Sequence, residues 1–367
     1  MKEKVYINGY FRKNLGDDLF VKILLDRYPD TIFEMYSPFN YKKVLKNKNV
    51  KIYSKNSFIN IYKKLLGEKN KLFKKNEIVS IDRIKKYSNN VFIGGSIFME
   101  KDDMDLELYK KNRFNINSNI CILGANFGPV LTDEYVKLHR EDIFTKISDI
   151  CFRDENSYSY FKDLDNVRYA PDIVFNLDTS KYKIEENNVA IISVININKD
   201  GQKYNQRLYN KKIVDLIKIL NQKNLKIVLM SFSKDQGDEK VIKDILKDKE
   251  LKKIDGIKKY FYNGNIDEAL KIISSSKIVV GTRFHANILG LLFNKTVIPI
   301  AYSDKTINVF RDMHFEGKIF DIRKNETFDI ESLNDDDLKY KHNVEELIIK
   351  SNLQFKYLDK ILKKITK

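Results

Sequence analysis

The densest chemistry in the sequence lies at residues 278–294, IVVGTRFHANILGLLFN. Ile278, Val279 and Val280 form an apolar run that predicts a buried strand. Gly281 ends it, and an apolar run from about 286 to 293 predicts a helix. Between the two stand Thr282, Arg283, Phe284 and His285. A strand running into a helix aims backbone N–H groups, and the positive end of the helix dipole, at whatever lies above the strand's carboxyl end. An Arg and a His at that point make a pocket suited to an anion, with a titratable group beside it. The plainer alternative is that Arg283 caps a neighbouring helix and His285 packs under a loop. The chain has four histidines (His139, His285, His314 and His342), and only His285 falls in such a turn.

The rest of the chain repeats a unit that can position such turns: a short apolar strand, a polar or glycine turn, then a helix. Strands are expected at 5–9, 31–36, 91–96, 120–124, 150–152 and 167–170, with helices at 19–28, 133–147 and 155–164. Asp17 and Asp18 precede the first helix, where carboxylates suit the dipole and cap N–H groups. Gly94, Gly95 and Ser96 follow a strand, and the paired glycines let a backbone or a ligand approach closely. No G-x-G-x-x-G fingerprint is present. A polar stretch at 176–188 separates a second series, with strands at 189–195, 226–230, 258–262, 278–280 and 297–301. Its helices are expected at 208–220, 238–246 and 266–275. The pattern predicts an α/β protein of two tandem Rossmann-like domains of the GT-B type with a cleft between them. An N-terminal domain spans 1–177 and a C-terminal one 188–340. A single amphipathic C-terminal helix at 342–367 packs back across both. In such sheets ligands bind at the carboxyl ends of the strands.

Composition narrows the class. The 367 residues are 43% hydrophobic and carry a net charge of +16, which favours acidic partners: nucleic acid, anionic headgroups or phosphorylated small molecules. No RNP-type or helix-turn-helix spacing occurs, so nucleic acid is not expected. The two cysteines, Cys121 and Cys151, lie in apolar runs without metal-ligand spacing and read as buried thiols of a reducing compartment. No run approaches the length of a membrane span, and the N-terminus lacks a signal-peptide core. The expected location is cytoplasmic, with peripheral contact at the inner face of the plasma membrane an option. That option rests on residues 41–86, where lysines alternate with apolar residues and 58–66 (FINIYKKLL) suits a partner- or membrane-facing helix. The plainer reading is a solvated basic face.

Six pieces then occur in a familiar order: NLGDD at 14–18, IGGSIF at 93–98, GANFGP at 124–129, FRDENS at 152–157, APD at 170–172 and GTRFHANILGLLFNKTVIPIAYSDK at 281–305. With these, roughly residues 5 to 303 resemble the polysaccharide pyruvyl transferase family. The resemblance implies a bacterial GT-B-fold enzyme that moves the enolpyruvyl unit of phosphoenolpyruvate onto a sugar of a capsule, exopolysaccharide or cell-wall glycan precursor. The product is a cyclic pyruvate ketal. It also implies that Arg283 and His285 both contact phosphoenolpyruvate. The residues fit that chemistry, because a donor with a phosphate and a carboxylate needs several cationic or N–H donors. Arg283, Thr282 and the helix start suit one anionic group, and Arg153 is placed to face it from the first domain. Ketal formation needs one proton delivered to the vinyl carbon and one removed from a hydroxyl, which makes His285 the acid–base candidate beside Arg283. Asp17, Asp18, Gly94, Gly95, Ser96, Asn126 and Asp172 are the candidates for holding the acceptor. Where the family often ends the first strand of the second domain in Arg, this chain has Ser193-Val194-Ile195-Asn196, so Lys199 or Lys234 is expected to stand in. No cofactor or metal is expected; phosphoenolpyruvate is the co-substrate, and the acceptor is a lipid-linked or nucleotide-linked saccharide. A GT-B nucleotide-sugar glycosyltransferase is the alternative. A non-catalytic lipid-surface binder is the third reading, and Arg283 with His285 argues against it.

Overall fold

Parallel strands are covered on both faces, so they read as unbroken apolar runs, and those runs build the two sheets here. The computed structural model describes residues 4–37, 41–54, 86–112, 118–198, 205–324 and 328–362. The chain packs into two units. One comprises Met1–Arg12, Phe20–Ile173 and Lys350–Lys367, and the other Lys13–Leu19 and Val174–Ile349.

Among the described residues, the first unit holds β1 (Lys4–Gly9), β2 (Ile32–Ser37), β3 (Val50–Ser54), β4 (Asn89–Ile93), β5 (Asn119–Ala125), β6 (Asp149–Phe152) and β7 (Val167–Tyr169). They pair in the order β3-β2-β1-β4-β5-β6-β7, all parallel. The second unit holds β8 (Val189–Ser193), β9 (Lys226–Ser231), β10 (Lys258–Phe261), β11 (Ile278–Gly281), β12 (Thr296–Ala301) and β13 (Phe320–Asp321), in the order β10-β9-β8-β11-β12-β13. Strand order reverses at β1 and at β8, where α/β sheets open a crevice for ligands. In the second sheet Ser193↔Gly281 is the last pair between β8 and β11, so Ser193 and the Thr282–His285 turn share that crevice. The core follows: all four residues of β11 and all six of β12 are buried.

Several expectations change. The first helix begins at Leu15 rather than 19, because Asn14 accepts the Gly16 N–H on its side chain (3.1 Å) and the Asp18 N–H on its carbonyl (2.9 Å). Strands β3 and β13 were not expected. The helix expected over 133–147 stays α-helical only over Asp133–Leu138, then loosens into a π turn, His139–Ile143, and a 3-10 turn, Phe144–Lys146. The cause is His139, whose buried Nδ1 donates to the Tyr135 carbonyl (2.8 Å), the acceptor its own backbone N–H also uses. The helix expected over 155–164 is limited to Glu155–Ser159.

The expected single C-terminal helix is also corrected: it is two short helices, Glu345–Ser351 and Lys356–Leu362, joined by a 3-10 turn at Asn352–Phe355. Arg168 donates to the carbonyls of Leu353 and Gln354, which a continuous helix would need for itself. From the basic stretch, Lys42, Lys43, Lys46 and Lys86 lie in described segments, whereas 55–85, with the segment at 58–66, lies outside the described residues. Cys121 and Cys151 are free and buried, and burial pushes the Cys151 thiol up to about 12. Among the described residues no helix is long and apolar enough to cross a membrane.

Candidate functional site

In the second unit the turn after β11 is built from buried hydroxyls. The Thr282 N–H donates to the Ser193 carbonyl (3.0 Å) and the Arg283 N–H to the Ser193 Oγ (3.1 Å), pinning the turn to the end of β8. Thr282 is fully buried and its Oγ1 shares a hydrogen bond with the Tyr209 hydroxyl at 2.8 Å. Both polar groups of Thr282 thus have partners inside the protein, which fixes the turn. Arg283 adopts extended backbone (φ −73°, ψ 126°) as the N-cap of the helix Phe284–Leu292.

The Arg283 guanidinium is 13% exposed and clamped. Its Nε donates to Asp238 Oδ2 at 3.0 Å, Nη2 to Asp238 Oδ1, and Nη1 to the Gln236 amide oxygen. Burial works against its charge, and Asp238 more than offsets this, so the group is held protonated more firmly than usual. Asp238 is fully buried; its Oδ2 also accepts the N–H groups of Phe232 and Ser233, each at 2.9 Å. A guanidinium carries five N–H groups, so the clamp leaves two directed elsewhere in a fixed plane. Asp238 and Gln236 were missed by sequence reasoning. Asp238 reads as an ordinary first-turn carboxylate of the helix Asp238–Ile245, and nothing in its spacing ties it to a residue 45 positions on.

The segment at Lys13–Leu19, expected in the N-terminal domain, packs in this second unit. Leu15 N–H donates to the Phe232 carbonyl (3.1 Å), and Asn14 forms a bridge with Ser233. Gly16 lies against His285 so closely that a Cβ built on it would overlap the imidazole Nδ1. The glycine of NLGDD is therefore the seat of the His285 ring. His285 is half-buried, its ring edge-on to Phe284 at 5.2 Å. Asp18 is fully buried and accepts from the Tyr262 hydroxyl at 2.5 Å. Burial pushes its carboxyl well above the usual range, against the pull of the Tyr262 hydrogen bond. Asp18, a candidate for holding the acceptor, is thus a buried acid tying the segment to Tyr262. Asp17 is half-buried.

In the first unit the expected residues cluster around a different cation. Arg153, at the end of β6, pairs with Asp172 at 2.8 Å, and both side chains are fully buried. Its Nη2 donates to Asn126 Oδ1 (3.1 Å), and Asn126 N–H donates to the Gly95 carbonyl (2.7 Å). A Cβ on Gly95 would overlap the Arg153 guanidinium, so the second glycine of IGGS seats Arg153 as Gly16 seats His285. Gly94 is buried beside it, and Ser96 is exposed. A buried pair of this kind is neutral overall, and Arg153, expected to face the donor from the first domain, organises Asp172 and Asn126 within this unit. Of the two candidate stand-in cations, Lys234 is exposed, two positions before Gln236 in the sequence, and Lys199 lies outside the described residues. No cluster of His, Cys, Asp or Glu suited to a metal occurs among the described residues.

Solved structures share this architecture over nearly the full chain. They include Anabaena Alr3699/HepE in complex with UDP and glucose (9% identity, TM-score 0.56, covering 100% of this chain and 98% of that one). The UDP-GlcNAc 2-epimerase of Methanocaldococcus jannaschii is similar at 11% identity and TM-score 0.56, covering 98% and 100%. A glycosyltransferase from Rickettsia africae ESF-5 is similar at 13% identity and TM-score 0.51, covering 100% and 99%. Identities this low establish the fold alone, two Rossmann-like domains of the GT-B type. No curated protein matches the chain by sequence. The polysaccharide pyruvyl transferase family model matches residues 14–304, from the turn that meets His285 to the helix beyond β12. The chain is a transferase that belongs to the polysaccharide pyruvyl transferase family.

Proposed function

We propose that the chain transfers the enolpyruvyl group of phosphoenolpyruvate to a sugar of a surface-polysaccharide precursor, forming a cyclic pyruvate ketal and releasing phosphate. The observation that carries this reading is the pairing of a clamped Arg283 with a glycine-seated His285 at the two ends of Phe284. Arg283, fixed by Asp238 and Gln236, offers a planar N–H pair to one anionic group of the donor. His285 supplies a proton-transfer group two residues further along the chain. In the reaction one acceptor hydroxyl adds to C2 while the methylene carbon takes a proton. The second hydroxyl then displaces phosphate from C2, and its proton leaves with the phosphate. Two hydroxyls and one vinyl carbon thus need proton traffic, which an imidazole can carry by accepting a proton at one group and donating it at another.

The second unit is the donor side in this reading. The first unit, with Asn126 and Asp172 held by Arg153, is the acceptor side. The acceptor is a lipid-linked or nucleotide-linked saccharide at the cytoplasmic face of the membrane, and phosphoenolpyruvate is the sole co-substrate. The test is phosphate release from phosphoenolpyruvate against a panel of lipid-linked saccharides, with the product examined for a ketal carbon by NMR. Phosphate released in step with ketal is expected. A panel on which nucleotide-sugars react and phosphoenolpyruvate does not would move the chain to glycosyl transfer.

A further inference from the structure

In the first unit, the grip on the C-terminal segment decides which of its faces meets water. Arg27, at the end of the first helix, donates to both carboxylate oxygens of Asp359 (3.1 and 2.7 Å) and to the Asn352 amide oxygen (3.0 Å). The Tyr28 hydroxyl also donates to Asp359 (2.9 Å), and the Arg27 guanidinium lies over the Phe355 ring at 4.7 Å. A bidentate pair fixes direction as well as distance, so the segment has one rotation about its axis. Gln354, Phe355, Leu358 and Leu362 turn inward and are buried. The other face carries Leu353, 48% exposed, then half-buried Tyr357 and Ile361, each four residues after the last. Lys356 and Lys360, both exposed, flank that stripe. An apolar stripe turned outward between lysines suits a bilayer interface, with the stripe at the acyl boundary and the ammonium groups among the headgroups.

The charge around the stripe points the same way. Asp26, beside Arg27, pairs with Lys22 (2.6 Å) and accepts from the Asn47 side chain (2.7 Å), which brings residues 46–48 to the same end of the helix. Lys46 and Lys48 are exposed there. Asp26 and Asp359 are matched by Lys22 and Arg27, so Lys46, Lys48, Lys356 and Lys360 leave this surface positive even beside Asp30. We propose that this face of the first unit, Leu353 to Ile361 with Lys46 and Lys48 beside it, docks on an anionic lipid bilayer. The proposal rests on the reading of a lipid-linked acceptor above, and names the surface that brings the acceptor side to the lipid. The competing role is a solvated basic face, which needs the lysines but no outward apolar stripe.

The experiment is sedimentation of the full chain with phosphatidylglycerol-containing and pure phosphatidylcholine vesicles, at low and high salt. Wild type is expected to bind the anionic vesicles more tightly, and less so at high salt. Each lysine beside an anionic surface contributes roughly fivefold to partitioning, so joint Lys356→Glu and Lys360→Glu substitution is expected to weaken binding by about 25-fold or more. Equal binding by wild type and the double variant, or no binding of wild type to any vesicle, overturns the inference. Phosphoenolpyruvate titrated into the same samples is expected to bind both proteins alike, so failure of the donor reading shows there and failure of this one in the vesicles. Should the double variant not fold, Leu353→Trp decides, because the chain has no other Trp. Its emission is expected to shift to the blue with phosphatidylglycerol vesicles. No shift while the protein sediments places another face on the lipid, and a shift with protein concentration alone places a second copy on the stripe; either overturns the inference.

Discussion

Gly16 and His285 share a space that admits one side chain. A methyl group at Gly16 has no room beside the imidazole, so Gly16→Ala is expected to swing His285 out of place and lower turnover roughly 100-fold, as a misplacement of about 1 Å can. Because the effect runs through His285, adding His285→Ala should cost little more. Additive losses in that double-mutant cycle would contradict the seat. Asp18 makes a separate case, as a proton it holds when folded is released by the unfolded chain above about pH 4. With fewer protons bound unfolded than folded, stability falls as pH rises from there toward the raised folded pKa. Asp18→Asn should flatten the decline in thermal midpoint as pH rises above about 4; a slope equal to that of wild type would show that Asp18 is ionised in place. The positions of Arg283 and His285 were legible, because a strand, a glycine and a helix start mark them. Asp238 and Gln236, which hold Arg283, and Tyr262, which holds Asp18, were not, because each reads as an ordinary residue of its own element and meets its partner only through the sheet order.

At the scale of elements, agreement followed the capping chemistry. The helices Gln206–Gln222 and Ile266–Ser274 start after Asn205 and Asn265, whose side chains accept from Leu208 and Glu268 N–H, and they differ from the expected spans by two residues or fewer. Elements failed where a side chain took the backbone acceptors, as His139 does within its own helix and Arg168 does in the C-terminal segment. That segment returns to the first unit through Gln354, which is fully buried. Its amide nitrogen donates to the carbonyls of Ala170 (2.7 Å), Pro171 (3.1 Å) and Phe152 (3.3 Å), and its oxygen accepts from Gly124 N–H (3.0 Å). These groups flank Arg153 and Asp172 in sequence. Gln354→Leu leaves several buried backbone groups unpaired, so a loss of about 2–4 kcal/mol is expected in urea unfolding. A loss under about 0.5 kcal/mol would mean that water replaces the side chain.

At the scale of the molecule, the division into units cuts across the order of the chain. Residues 13–19 pack with the second unit although β1 just before them belongs to the first. An expectation that follows the chain places Asp17 and Asp18 in the N-terminal domain, whereas Gly16 just before them lies against His285 and Asp18 accepts from Tyr262. Ligand binding should report this. With phosphoenolpyruvate, hydrogen exchange is expected to slow at 14–18, 231–238 and 281–287 together, because they form one hydrogen-bonded set. Protection confined to 124–129 and 152–157 would place the donor in the first unit instead. The net charge of +16 favours an anionic substrate without naming it, so the identity of the donor rests on the site.

The most direct measurement is calorimetric titration of wild type and Arg283→Ala with phosphoenolpyruvate, and in parallel with UDP and GDP. Saturable binding of phosphoenolpyruvate to wild type, lost in Arg283→Ala and unmatched by either nucleotide, is expected. Tight nucleotide binding with no heat from phosphoenolpyruvate would contradict the pyruvyl donor and leave His285 without its proposed part in the reaction.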